Sequence, residues 1–149
     1  MKGFPDLPPI WLAGFCLLAW VMALFAPVLS VRGPELQALG TALGIAGFGL
    51  IGWSAVWFAR KGTTIEPHHT PQKLIVEGPY RLSRNPIYLG MVVILAGLVL
   101  WLGAVSGLVL PGVFVVVLTQ RFIVPEENGL RSAFGAEAEA YLTRTRRWL

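Results

Sequence analysis

Charge and cysteine are both scarce in this chain. Only 13% of its 149 residues are charged and one is a cysteine, Cys16. A single thiol inside an apolar run excludes an intrachain disulfide and a cysteine-based metal cluster. Little charge beside 55% hydrophobic residues, with a mean hydropathy of +0.65, excludes an ordinary soluble domain. A small-residue cleavage site is also lacking after the first apolar run, which follows only Lys2 as a basic flank, so this run reads as a retained anchor. The net charge of +4 and pI near 9.7 would suggest nucleic acid in a soluble protein. Here the basic residues sit in short segments between apolar runs, a pattern that reports topology.

What is present is a series of apolar runs long enough for a bilayer. Residues 10–29 carry no charge and, at about 1.5 Å per residue, cross roughly 30 Å of hydrocarbon. A second run covers residues 36–59 and carries Gly40, Gly44, Gly47, Gly49 and Gly52, small residues that let helix backbones approach in lipid. The third and fourth runs, 87–102 and 108–124, are joined by a tight turn at 103–107 and predict a helical hairpin. Pro125 then suits a helix start. Leu130, Phe134, Ala138 and Tyr141 recur at helical spacing over 125–143, predicting an amphipathic helix that lies on the membrane surface or against the bundle. On that helix Glu127 and Glu137 fall on the apolar side and are expected to point inward. The fold class is therefore all-α: one membrane domain over 1–149, with four transmembrane helices and a surface C-terminal helix.

Lysine and arginine orient this bundle, because basic loops are retained on the cytosolic side. With four spans, eleven basic residues fall on one side and Arg32 alone on the other. Both termini and the polar segment 60–86 are expected in the cytosol, in a bacterial inner membrane or its equivalent. Trp11, Trp53, Trp57, Trp101 and Trp148 lie near span ends or the tail, where amphipathic rings favour the interface.

The polar segment is the one long connection, and long loops in compact domains tend to carry function. It ends in Glu77-Gly-Pro-Tyr-Arg-Leu-Ser-Arg-Asn-Pro-Ile-Tyr-Leu-Gly90, directly against the third span. Two readings stand side by side: the arginines snorkel to headgroups while prolines shape the turn, or the run builds a site. Glu126 and Glu127 carry the same choice. Carboxylates favour a helix N-terminus through its dipole, and an adjacent pair also suits a bound cation.

The run GPYRLSRNPIYLG, followed about 30 residues later by IVPEENGLRSAFGAEAEAYLTRTRRWL, resembles the isoprenylcysteine carboxyl methyltransferase family, itself related to membrane phospholipid methyltransferases. The likeness covers about residues 60–149. It implies a methyltransferase whose cofactor, S-adenosylmethionine, sits between the third span's cytosolic end, the preceding loop and the C-terminal helix. By motif position, Leu74, Ile75, Val76, Gly78 and Tyr80 would wrap the adenosine, and Arg84, Asn85, Pro86 and Tyr88 would shape the pocket around the methionine part. Glu126 and Glu127 match the family's paired acids, and Tyr141 with the basic tail would close the pocket. Arg84, Asn85, Tyr88 and Glu127 are the residues assigned to catalysis, with Arg84 on an anionic group and Glu127 on the cofactor's cationic part. The acceptor implied is lipophilic, reaching the site from the bilayer. No metal site and no nucleic-acid partner are expected.

Two positions depart from the family pattern. Asn85 stands where many relatives have histidine, and an amide cannot titrate near neutral pH, so no proton relay operates there. Ala138 replaces a frequent tyrosine, removing an aromatic wall one turn before Tyr141. His68 and His69 are candidates for a general base toward an amine or thiol, against their reading as solvated loop residues. A carboxylate acceptor needs no base. Rival readings are a nicotinamide-dependent membrane reductase of the sterol reductase type and a non-catalytic lipid-binding subunit.

Overall fold

The computed structural model describes residues 6–25, 30–62 and 74–149. Its described residues are helical, in the order α1 (Pro8–Phe25), α2 (Pro34–Lys61), a short 3-10 turn (Gly78–Arg81), α3 (Pro86–Leu102), a second 3-10 turn (Val105–Leu108), α4 (Val109–Leu118), a π-turn (Thr119–Ile123) and α5 (Val124–Arg144). The all-α expectation holds. Three helical stretches are long and apolar enough to cross a membrane: Pro8–Phe25, Pro34–Lys61 and the continuous Val105–Arg144. The apolar α3 is 17 residues long. His68 and His69 lie outside the described residues, as do Lys2, Lys73 and residues 26–29 of the first apolar run.

α3 is the central helix, packing against α1, α2 and α4. Its Tyr88, Met91, Leu95 and Val99 face Leu110, Phe114, Leu118 and Phe122, and Ala19 adds the side of α1. Phe15 meets Phe114 with ring centroids 4.9 Å apart. The α2–α3 contact is made by glycine. A Cβ on Gly40 would lie 2.5 Å from the Gly97 carbonyl oxygen, and one on Gly47 would lie 2.6 Å from that of Gly90. Pairs 40/97 and 47/90 thus run antiparallel at backbone contact, the small-residue packing available to helices in lipid. Gly44, Gly49 and Gly52 meet nothing within 4 Å of an added Cβ. Gly44 still meets the seam through its backbone, since a Cβ on Gly97 would lie 2.9 Å from its amide nitrogen, so Gly49 and Gly52 are the members of the series that stand apart from it.

At the end of the bundle away from the motif, Gly103 closes α3 with φ of 66°. Val31 donates its amide to the Gly103 carbonyl at 2.9 Å. This bridge ties the α1–α2 connection to the α3–α4 turn.

Two expectations for the C-terminal part need correction. Pro125 lies in the first turn of α5, as expected, but that helix is not set apart from the span before it: the chain stays helical from Val105 to Arg144. A proline inside a helix lacks an amide and crowds the carbonyl four residues back, here that of Arg121. The π-turn absorbs this misfit, with Val124 donating its amide five residues back to Thr119. Nor does the amphipathic helix run straight. Gly135 has φ 49° and ψ −121° and kinks α5, yet Ala138 and Tyr141 beyond it are buried on the same side as Glu127, and Glu137, about 80° from Glu127 at 100° per residue, sits at the margin of that face. Glu127 is buried as expected, whereas Glu137 is exposed.

Candidate functional site

Three elements meet at one end of the bundle: the segment 74–90, the start of α5 beyond the π-turn, and the tail 145–149. Leu74, Ile75 and Val76 lie outside regular secondary structure, with Ile75 buried. Gly78 follows with φ of 59°, and a Cβ there would collide with the Trp57 indole of α2. Both backbone sign and space demand glycine at this turn. Lys61 at the end of α2 pairs with Glu77 at 2.5 Å, holding the turn on that helix. Tyr80 is buried edge-on to Phe58, with centroids 5.7 Å apart.

Pro86 opens α3, and Tyr88, in the first turn, donates its hydroxyl to Glu126 Oε1 at 2.5 Å. This contact joins the two separated motifs directly. Burial raises the Glu126 carboxyl above its ordinary pKa, with the Tyr88 hydrogen bond opposing part of that effect. Tyr141, one turn beyond the fully enclosed Ala138, donates its hydroxyl to the Tyr80 carbonyl at 2.9 Å. Its own pKa is pushed up to about 12 by burial, with Arg84 and Arg144 opposing. It acts here as a neutral donor.

Glu127 is 4% exposed and is gripped from two sides. Arg147 donates through Nε to Oε1 at 2.8 Å and through Nη2 to Oε2 at 2.7 Å. Arg84 Nη1 lies 3.1 Å from Oε1. Burial pushes the Glu127 carboxyl upward, but Arg147, Arg84 and Arg131 outweigh it and hold the group below the usual carboxylate range. The two adjacent acids are therefore held in opposite directions.

The tail is pinned as a strap. Arg84 donates its amide to the Arg146 carbonyl at 2.9 Å. Asn85 Nδ2 donates to the Arg147 carbonyl at 2.9 Å, and the Ser83 hydroxyl donates to the same oxygen at 3.3 Å. Ser83 also accepts the Asn85 amide at 3.1 Å. Asn85 thus spends its side-chain N–H on the strap.

Of the sequence candidates, Tyr80, Arg84, Asn85, Tyr88, Glu126, Glu127 and Tyr141 are joined by these bonds, and Pro86 and Gly78 shape the backbone between them. Leu74, Ile75 and Val76 lie on the approach to the same turn. Sequence reasoning missed Ser83 and Trp57. It set the basic tail beside Tyr141 through the family resemblance, but nothing in Arg144-Thr-Arg-Arg147 says that Arg147 is the arginine that turns inward. It also missed a clamp at the π-turn, where Arg121 Nε donates to Asp6 at 2.8 and 2.9 Å and lies 5.2 Å over the Trp11 ring.

Comparison with known proteins agrees with this convergence. No solved structure matches the chain. An uncharacterised protein of Haemophilus influenzae is 38% identical over 63 residues, spanning 42% of this chain and all of that protein. The profile of the phospholipid methyltransferase family matches residues 36–137, which include nearly all of α2, α3, the first motif segment and the second as far as Glu137 in α5. The chain belongs to that family of membrane methyltransferases.

Proposed function

We propose that this protein is an S-adenosylmethionine-dependent methyltransferase that modifies a lipophilic acceptor at the cytosolic membrane interface. The observation that carries the reading is the bonding of the two motifs across the family match, Tyr88 to Glu126 and Arg84 to Glu127. The donor set suits the cofactor's functional groups: carboxylates, guanidinium groups, tyrosine rings and a glycine turn for a molecule bearing a sulfonium, an ammonium, a carboxylate and adenine. Arg84 Nε, enclosed and without a hydrogen-bond partner among the described residues, is a donor that such a ligand can satisfy.

When bound, S-adenosylmethionine would supply an electrophilic methyl group on cationic sulfur. The chain's part is to hold donor and acceptor at near-attack distance and to exclude water. Leu74, Ile75, Val76, Gly78 and Tyr80 would enclose the adenosine. Arg84, Asn85, Pro86 and Tyr88 would shape the methionine end, with Glu126, Glu127 and Tyr141 completing the wall. An acceptor carboxylate needs no base, so none is assigned.

The orientation follows from basic-residue asymmetry: four spans, counting α3, both termini and the site in the cytosol. A water-soluble cofactor then arrives from one side and a lipophilic acceptor from the bilayer. The test is transfer of a labelled methyl group from S-adenosylmethionine into solvent-extractable lipid by purified protein with a membrane lipid extract. Label recovered only on the donor would reject methyl transfer to lipid.

A further inference from the structure

The two adjacent acids differ in what remains free on them. Glu127 has both carboxylate oxygens engaged: Oε1 accepts from Arg147 Nε and faces Arg84 Nη1, and Oε2 accepts from Arg147 Nη2. With one carboxylate and two guanidinium groups, the cluster carries a net charge of +1. An ammonium arriving at Glu127 meets two cations already in place. Its attraction to the carboxylate is offset by their repulsion.

The cluster also has unspent donors. A guanidinium offers five N–H groups, of which Arg147 places two on Glu127. Arg84 Nε is fully enclosed and donates to nothing among the described residues. A buried donor left unpaired is destabilising, and an incoming acceptor removes that cost. The Arg147 side chain remains 38% exposed, so its spare donors face outward from the pair.

Glu126 is the complement. It accepts from Tyr88 and has no ion-pair partner among the described residues. Neighbouring residues thus present one unpaired carboxyl and one cluster with surplus positive charge. That polarity fits an α-amino acid group, whose ammonium and carboxylate share one carbon.

We propose that Arg147, carried by the C-terminal strap, forms with Arg84 a binding site for the ligand's α-carboxylate, with Glu127 as the buried tether that orients both guanidinium groups. This rests on the S-adenosylmethionine reading above, and it moves the ammonium from Glu127 to Glu126. The strap's bonds to Arg84, Asn85 and Ser83 acquire a purpose: they deliver Arg147 to the carboxylate.

The test is calorimetric titration of purified wild-type protein and Arg147→Gln with S-adenosylmethionine and with its decarboxylated analogue, which keeps the sulfonium, the amine and the adenosine. For the wild type, the analogue is expected to bind about tenfold or more weakly, the scale of a lost charge-assisted pair. Arg147→Gln should weaken the parent cofactor by a similar factor and leave the analogue's affinity nearly unchanged. Equal wild-type affinity for the two ligands overturns the carboxylate site while leaving the methyltransferase reading intact. Equal weakening of both by Arg147→Gln overturns it too, as a purely structural arginine would behave that way. Where the variant does not fold, the wild-type comparison decides alone. Failure of wild-type protein to bind either ligand overturns both proposals.

Discussion

Arg147 grips Glu127 across the whole length of α5, with paired contacts of 2.8 and 2.7 Å between a tail residue and a residue in the helix's first turn. A carboxylate that is 4% exposed and doubly paired is a strong structural commitment. Glu127→Gln leaves two guanidinium groups without their counter-charge. We expect a loss on the order of 3 kcal/mol, reduced from the fully buried case because Arg147 is partly open to solvent. Denaturant unfolding in detergent measures it, and a change below about 0.5 kcal/mol would show the pair to be incidental.

The acid pair should split with pH. Glu127 has a lowered folded pKa, so its stabilisation is full above the unfolded carboxylate value and disappears as pH falls through the folded one. Glu126 has a raised folded pKa, so its contribution runs the other way, falling as pH rises from the unfolded value through the folded one. At pH 7, Glu126→Gln keeps an acceptor for Tyr88 and should hold or raise the melting temperature, whereas Glu127→Gln should lower it. Melting temperatures between pH 4 and 8 check this, and shifts of the same sign for both variants would contradict it.

Asn85 anchors the strap as a donor, which a histidine can imitate and an aspartate cannot. Asn85→His should keep the tail protected, because an imidazole N–H can donate to the Arg147 carbonyl. Asn85→Asp sets a carboxylate against that carbonyl and should release residues 145–149. Hydrogen exchange of the tail amides reads the difference. Equal protection in both variants would remove Asn85 from the anchoring.

The glycine seam predicts a contrast within one helix. Gly47→Ala places a Cβ 2.6 Å from the Gly90 carbonyl oxygen and forces α2 from α3, at a cost of about 1–3 kcal/mol. Gly49→Ala meets nothing within 4 Å and should be neutral or gain up to about 1 kcal/mol through helix propensity. Unfolding measurements on the two variants separate packing from composition.

The limits of the sequence are physical ones. Apolar length and charge asymmetry depend on local composition, so the helical hairpin and the third run were legible to within a residue or two. The glycines of α2 were legible as a set. Their division depends on the rotation of α2 against α3, which no single helix encodes. Pro125 reads as a boundary because proline opens helices, yet a π-turn let the helix continue. Glu137 was misplaced because it lies about 80° from Glu127 at 100° per residue, at the margin of a face that Ala138 and Tyr141 hold to beyond Gly135. The motif residues were legible through resemblance, and Tyr88–Glu126 shows them meeting. Arg147 was not, since its role arises only when the tail folds back beside Asn85.

The central claim is that the cluster joined by Tyr88–Glu126 and Arg84–Glu127 binds S-adenosylmethionine. Isothermal titration of the purified, folded protein with S-adenosylmethionine, run beside NADPH, tests it most directly. The account predicts saturable binding of S-adenosylmethionine that weakens in Tyr88→Phe, with no binding of NADPH. Absence of detectable S-adenosylmethionine binding at millimolar concentration, or binding of NADPH alone, would contradict it.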